Sequence, residues 1–513
     1  MYEACATTLH AGPSGGFIFH RPEEICMSQS PIPAPHGLHR NSIGLPTVLM
    51  QSIAQIAPAV GVLTTIGFNT QQAGLGAPST YIAAFLIGLM VAISLAQLGR
   101  HLPSAGGFYT YVSVAVGPKS GFMVGWLYSW FVAMIPGGLA SYTGFVLQTE
   151  LNQHYGINIP WQITTVAMLL VAGAIGYRGI KISGKMLTVL SIIEMLIILA
   201  LAVSGLVSPG PGGVSVTGFN PASSTNLHGF FLAVVLSIFA FTGWEGAATV
   251  AEESRNPRIV IPKAIIGSII LLGIYYVFCA WGIQIGWGTN HLTDLANATE
   301  NPAFIVAHRL WGNGWLLVLL ALLNSSIAVC IACTVDSTRN WYAMARAEAL
   351  PAWLNRIHPS YRTPYTAVLA QTALALTVGV GSGSLVAPDQ SFFMLGTLGT
   401  IIYVFVYTMG NIGVVRFFLT VKRLELNVLV HLVFPVLSTI ALLLVLYYSL
   451  IPLPAPPVSY APAIGGVLLV AGLAVLWRLH SGHGAAWKTL SQSVVEPERD
   501  AEMSVSSVLR PAE

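Results

Sequence analysis

The sequence predicts an all-α integral membrane protein of twelve transmembrane helices, and three observations predict it. The chain has 513 residues, of which 54% are hydrophobic and only 8% charged, against roughly 25% charged in an ordinary soluble domain. The apolar residues gather into blocks of about twenty, long enough to cross roughly 30 Å of hydrocarbon at about 1.5 Å per residue. The basic residues keep to one side of those blocks.

Taken in order, the blocks lie near residues 46–69, 79–98, 121–147, 161–177, 186–207, 229–250, 263–285, 314–335, 366–381, 392–415, 430–450 and 461–478. Short cytoplasmic loops carry the excess of Lys and Arg in membrane proteins. With the N-terminus inside, the inner connectors hold Arg100 and Lys119, then Arg178, Lys181 and Lys185, then Arg255, Arg258 and Lys263. The next two hold Arg339, Arg346, Arg356 and Arg362, then Arg416, Lys422 and Arg423. The tails add Arg21, Arg40, Arg478, Lys488, Arg499 and Arg510, which leaves only Arg309 outside. Removing any one block would move every later cluster outside, so count and orientation support each other. Both termini are therefore expected in the cytoplasm and the spans in the plasma membrane. The 366–381 block is the shortest and the most open to redrawing.

The connectors limit the function classes. Ser208-Pro209-Gly210-Pro211-Gly212-Gly213 and Pro452-Leu453-Pro454-Ala455-Pro456-Pro457 are turn-rich outer loops, and no connector has room for a soluble domain. A net charge of +3, scattered along the chain, does not suggest nucleic-acid binding. Cys5, Cys26, Cys279, Cys330 and Cys333 form no disulfide framework. Cys330 and Cys333 make a C-x-x-C inside an apolar helix, where small polarizable side chains pack well. None of the 13 histidines lies near the middle of a span, and there is neither an H-E-x-x-H nor a P-loop. No cofactor or metal is expected, and a polytopic membrane enzyme is the remote alternative. The polar head is expected to be disordered, and Met27 is a candidate start of translation.

Two helices carry breakers at mid-membrane depth, where freed backbone groups survive only against protein or a polar cavity. The first span reads Gln55-Ile56-Ala57-Pro58-Ala59-Val60-Gly61, and the sixth Phe239-Ala240-Phe241-Thr242-Gly243-Trp244-Glu245-Gly246. The breaks fall five spans apart, an odd number, so two five-helix halves would run in opposite senses, as inverted repeats do. The expected organisation is a disordered tail over 1–44, a ten-helix inverted-repeat core over 45–420, two further helices over 421–480 and a cytoplasmic tail over 481–513. A half-helix starting near Val60 to Val62 would aim amide donors at a carboxylate. A half-helix ending near Phe241 to Gly243 would offer carbonyls to an ammonium. Candidate binding residues are accordingly Ile56, Ala57, Pro58, Ala59, Val60, Gly61, Phe239, Phe241, Thr242 and Gly243.

A carboxylate at mid-membrane is expensive and marks function by default. Glu194 in the fifth span and Glu245 at the second break are candidates to couple proton movement to solute movement. Asp336, three residues from Arg339, reads as an interfacial helix pair. Glu252 and Glu253, among Arg255 and Arg258, read as a solvated face with gating salt bridges as the alternative.

The stretch Phe239 to Ile265, F-A-F-T-G-W-E-G-A-A-T-V-A-E-E-S-R-N-P-R-I-V-I-P-K-A-I, resembles the sixth span and following loop of the amino acid-polyamine-organocation superfamily of permeases. Leu102 to Tyr111, Gly176 to Lys181 and Ser337 to Arg346 agree with it, and the resemblance covers roughly residues 41–480. It implies a five-plus-five inverted-repeat core with discontinuous helices 1 and 6, two added helices, and alternating access driven by an ion gradient or by exchange. The implied solute is an amino acid, with a polyamine or basic amino acid as the alternative, and a proton or other cation as the coupling partner. Phe239 matches an aromatic gate, and Glu245 a carboxylate of some amine-handling members. Pro58-Ala59-Val60-Gly61 departs from the G-x-G type of break, and Glu194 stands near where some proton-coupled members have a lysine. Oligomeric state is not legible.

Overall fold

The computed structural model describes residues 38, 40–291, 301–453 and 455–482. Met27, Cys5, Cys26 and nearly all of both expected tails lie outside them.

Among the described residues the chain is helical. Helices α1 (Leu45–Ile56) and α2 (Pro58–Ala73) are separated by Ala57 alone, which is left-handed at φ 65°. The reason is local: a residue before proline is pushed out of the right-handed helical region, and Pro58 has no N–H to continue the ladder. Then come α3 (Ala77–His101), α4 (Phe108–Ala115), α5 (Pro118–Tyr155), α6 (Trp161–Arg178) and α7 (Ile180–Val207). The second break separates α8 (Leu227–Phe241) from the single turn α9 (Gly246–Thr249). Gly243 holds φ 120° there, a conformation that glycine alone adopts without strain. The chain continues through α10 (Pro257–Trp287), α11 (Pro302–Trp311), α12 (Leu316–Arg346), α13 (Tyr365–Val386) and α14 (Pro388–Thr420). It ends with α15 (Phe434–Leu450) and α16 (Ala461–Gly482).

Ten helical runs among the described residues are long and apolar enough to cross a membrane; one is the 57-residue run Leu45–His101, and α6 is not among them. Large apolar side chains stand exposed along α7, α15 and α16, including Leu196, Val436, Leu443, Val467 and Val470. Such a surface suits hydrocarbon and not water. The chain is a multi-pass membrane protein. The block expected at 366–381 lengthens to a 22-residue helix.

The broken helices lie in the interior. Helix α2 packs on α8, α1 on α7, α10 and α12, and α5 runs along α12, α13 and α14. Ahead of α1 the chain is stitched to the segment after α9: Ser42 N–H donates to Glu253 O at 2.8 Å, and Arg255 N–H to Ile43 O at 2.8 Å.

Candidate functional site

The two breaks meet. With no Cβ at Gly243 or Gly246, the unwound segment lies against α1: a Cβ on Gly243 would fall 2.6 Å from the Gln55 carbonyl carbon, and one on Gly246 would strike the Gln55 amide. Ser52 Oγ donates to Trp244 O at 2.8 Å. Tyr276 on α10 ties both breaks, its hydroxyl lying 2.9 Å from Ile56 O, 3.1 Å from Ala57 O and 3.2 Å from Ala240 O. These are backbone acceptors that the breaks set free, and buried acceptors need donors. Gly61 makes room for this ring, since a Cβ there would meet the Tyr276 hydroxyl.

At the start of α2, Val60 N–H donates to Ser325 Oγ at 3.2 Å and Gly61 N–H to Ala57 O at 2.7 Å. Helix α2 begins at Pro58, two residues earlier than expected, because proline suits the first helical position.

Between the breaks and the α5–α12–α14 wall lies a cavity with about 510 Å³ of atom-free space, open mouth included. Six of the ten expected residues line it: Ile56, Ala57, Val60, Gly61, Phe239 and Thr242. Pro58, Ala59, Phe241 and Gly243 stand outside its wall. Phe241 packs edge-on against Tyr276 at 4.9 Å. Sequence reasoning missed the opposite wall, which comes from Ile135 and Leu139, Val329 and Cys333, and Phe392 and Tyr403.

Neither candidate acid is part of the cavity wall, although Glu245 lies beside the wall residues Tyr403 and Cys333. Glu245 is buried, its Oε2 accepting from Gly243 N–H and Tyr407 Oη at 3.0 Å each while Oε1 is unpartnered. Trp244 stacks on Tyr407 at 5.2 Å. Glu194 is fully buried, with the Ser325 hydroxyl beside it but no hydrogen bond closed.

Two expectations are overturned. Asp336 does not pair with Arg339 at an interface; it is fully buried and its Oδ2 accepts from Gln55 Nε2 and Tyr128 Oη, both at 2.6 Å. Arg339 instead forms a bidentate pair with Glu253, Nε to Oε2 at 2.5 Å and Nη2 to Oε1 at 3.1 Å, with exposures of 2% and 1%. Glu252 pairs with Arg346 at 2.6 Å at the solvent edge, where Arg346 is 46% and Glu252 17% exposed, so it is Glu253 alone that leaves the expected solvated face. Burial pushes the Glu252 carboxyl up, yet the Arg346 guanidinium outweighs burial and holds it below its ordinary range.

The amino acid permease family matches residues 47–488. The chain is similar to the low-affinity putrescine importer PlaP of Escherichia coli K12, at 26% identity over 66% of this chain and 74% of the relative. It is similar to the branched-chain amino acid permease BcaP of Bacillus subtilis 168, at 25% over 67% and 75% respectively. The serine/threonine exchanger SteT of the same organism is 28% identical over 61% of this chain and 71% of the relative.

Proposed function

The chain belongs to the amino acid permease family, and we propose on that premise that it is a secondary transporter carrying an amino acid across the plasma membrane by alternating access. The observation that carries this reading is the meeting of two broken helices at one cavity. Amide donors at the start of α2 suit a carboxylate, and carbonyls at the end of α8 suit an ammonium. Here Ser325 occupies the Val60 N–H and the Tyr276 hydroxyl occupies the Ala240 carbonyl. Solute binding exchanges these partners for its own charged groups.

Twelve spans are the count we adopt. The Leu45–His101 run is interrupted at Gly74–Gly76 between α2 and α3, and so counts as two passes. Helix α6, with 18 residues, adds the twelfth. Matched helix pairs support the inverted repeat: α3 packs on α10, α5 on α12 and α6 on α13, while α5 on α14 is answered by α12 on α7. Helices α15 and α16 are the added pair. The basic loops place both termini in the cytoplasm, with the Glu253–Arg339 pair at the inner end.

Glu245 and Glu194 are the coupling carboxyls, each buried and carrying an unpartnered oxygen. The polyamine reading draws on the putrescine importer among the relatives and would use Glu245 against a second ammonium. The test is Glu245→Gln in proteoliposomes. Loss of uptake, or uptake that no longer responds to a pH gradient, is expected; wild-type rates with unchanged pH dependence would sink the coupling role.

A further inference from the structure

The cavity has two unlike sides. One side is made by the breaks, with backbone dipoles and the hydroxyls of Thr64, Thr65 and Thr242. The other is made by Ile135, Leu139, Val329 and Phe392, together with the Cys333 thiol and the Tyr403 ring. Neither side contributes a charged side chain to the wall. The nearby acids are turned to other work: Glu245 accepts from Gly243 and Tyr407, and Asp336 from Gln55 and Tyr128. Glu194 stands on α7 beside Ser325, outside the wall.

We infer that the solute is an α-amino acid with an uncharged apolar side chain, with Ile135, Leu139, Val329 and Phe392 setting that preference. The inference rests on the carrier reading above and deepens it. The head group takes the side with the backbone dipoles by displacing Ser325 from Val60 N–H and Tyr276 from Ala240 O, and that placement turns the side chain toward α5, α12 and α14. A second ammonium, on lysine or a diamine, would face Ile135, Leu139, Val329 and Phe392, while Glu245, behind Tyr403, is already held by Gly243 N–H and Tyr407, so the wall itself offers it no carboxylate. A hydroxyl or amide side chain turned to this side would lose its water against Ile135, Leu139, Val329 and Phe392, none of which offers a side-chain hydrogen bond. An aliphatic side chain loses nothing on entering. Each methylene that fills such a wall is worth about tenfold or more in discrimination.

The experiment is counterflow in proteoliposomes preloaded with leucine, followed with labelled leucine against unlabelled competitors. Isoleucine, valine and methionine are expected to compete within a few-fold of leucine, alanine about tenfold or more less well, and lysine and putrescine not at all. Lysine or putrescine competing as well as valine, or serine competing better than valine, would overturn the side-chain class while leaving the carrier reading intact. Absence of exchange for every amino acid and diamine would overturn both. Val329→Phe narrows the wall, so the ratio of leucine to alanine uptake should fall about tenfold. An unchanged ratio would remove Val329 from the specificity wall.

Discussion

Replacing Glu253 with glutamine should spring the inner end of the molecule open. Glu253 and Arg339 are both essentially excluded from solvent and share two hydrogen bonds, and the guanidinium also donates to Val335 O at 3.2 Å. Glu253→Gln removes the counter-charge and leaves the guanidinium buried. Breaking one partner of a buried pair costs about 3–5 kcal/mol. In a conformation where the two residues part into water, the same pair is worth only about 0–1 kcal/mol. Nearly the whole loss therefore falls on the closed arrangement, and at about 1.4 kcal/mol per tenfold the closed-to-open ratio drops by about 10² to 10⁴. Cys333 reports the change, because it lines the cavity and is buried in the closed form. With Cys5, Cys26, Cys279 and Cys330 replaced by alanine, maleimide labelling of Cys333 in detergent should accelerate strongly in Glu253→Gln, until opening is no longer limiting. A labelling rate equal to that of the Cys333 parent, at equal melting temperature, would refute the idea that this pair holds the closed state.

Tyr276→Phe strips a hydroxyl from three backbone acceptors at once, and a cost of about 1–3 kcal/mol is expected; an unchanged melting temperature in detergent would contradict the tie. Gly243→Ala drives a Cβ into the α1 backbone at a left-handed position, so a loss of about 2–4 kcal/mol should appear as a lowered melting temperature. The Glu252 carboxyl titrates below its ordinary value when folded, so its ion pair stabilises fully above about pH 4.3, the unfolded value, and fades as pH falls through the lowered folded one. The melting-temperature difference between wild type and Glu252→Gln should hold at neutral pH and close in acid; a difference that persists or grows in acid would contradict the sign.

Spans and breaks were legible because they depend on local rules. Apolar length marks the spans, and Pro58 and Gly243 dictate their own backbone. Charge partners were not legible, because they depend on which helices meet. Asp336 stands one turn from Arg339, yet an i,i+3 pair on an exposed helix is worth a few tenths of a kcal/mol. Each residue instead turns to a buried partner brought from far along the chain, Gln55 for one and Glu253 for the other. The cavity wall was hidden for a related reason. Ile135, Leu139 and Val329 sit in helices whose other faces are equally apolar, so no periodicity distinguishes cavity from lipid.

The sequence of α12 carries a signal for these contacts. Ser325, Ala332, Asp336, Arg339 and Arg346 are spaced seven, four, three and seven residues apart, which places them on one face of α12. Each meets the broken-helix unit: Ser325 takes Val60 N–H, the Ala332 carbonyl takes Gln51, Asp336 takes Gln55, Arg339 takes Glu253 and Arg346 takes Glu252. The broken helices are meanwhile held to each other by Tyr276, by Ser52 on Trp244 and by the stitch between residues 42–43 and 253–255. Ties within the unit are to backbone, while those to α12 are mostly between side chains that water could replace. On the proposed carrier reading, opening is expected to cost the seam and spare the unit, with α1, α2, α8 and α9 moving together against the α12 face. The seam is most hydrated at Arg346, which is half exposed, and the Glu253–Arg339 pair is the next contact along it and is dry.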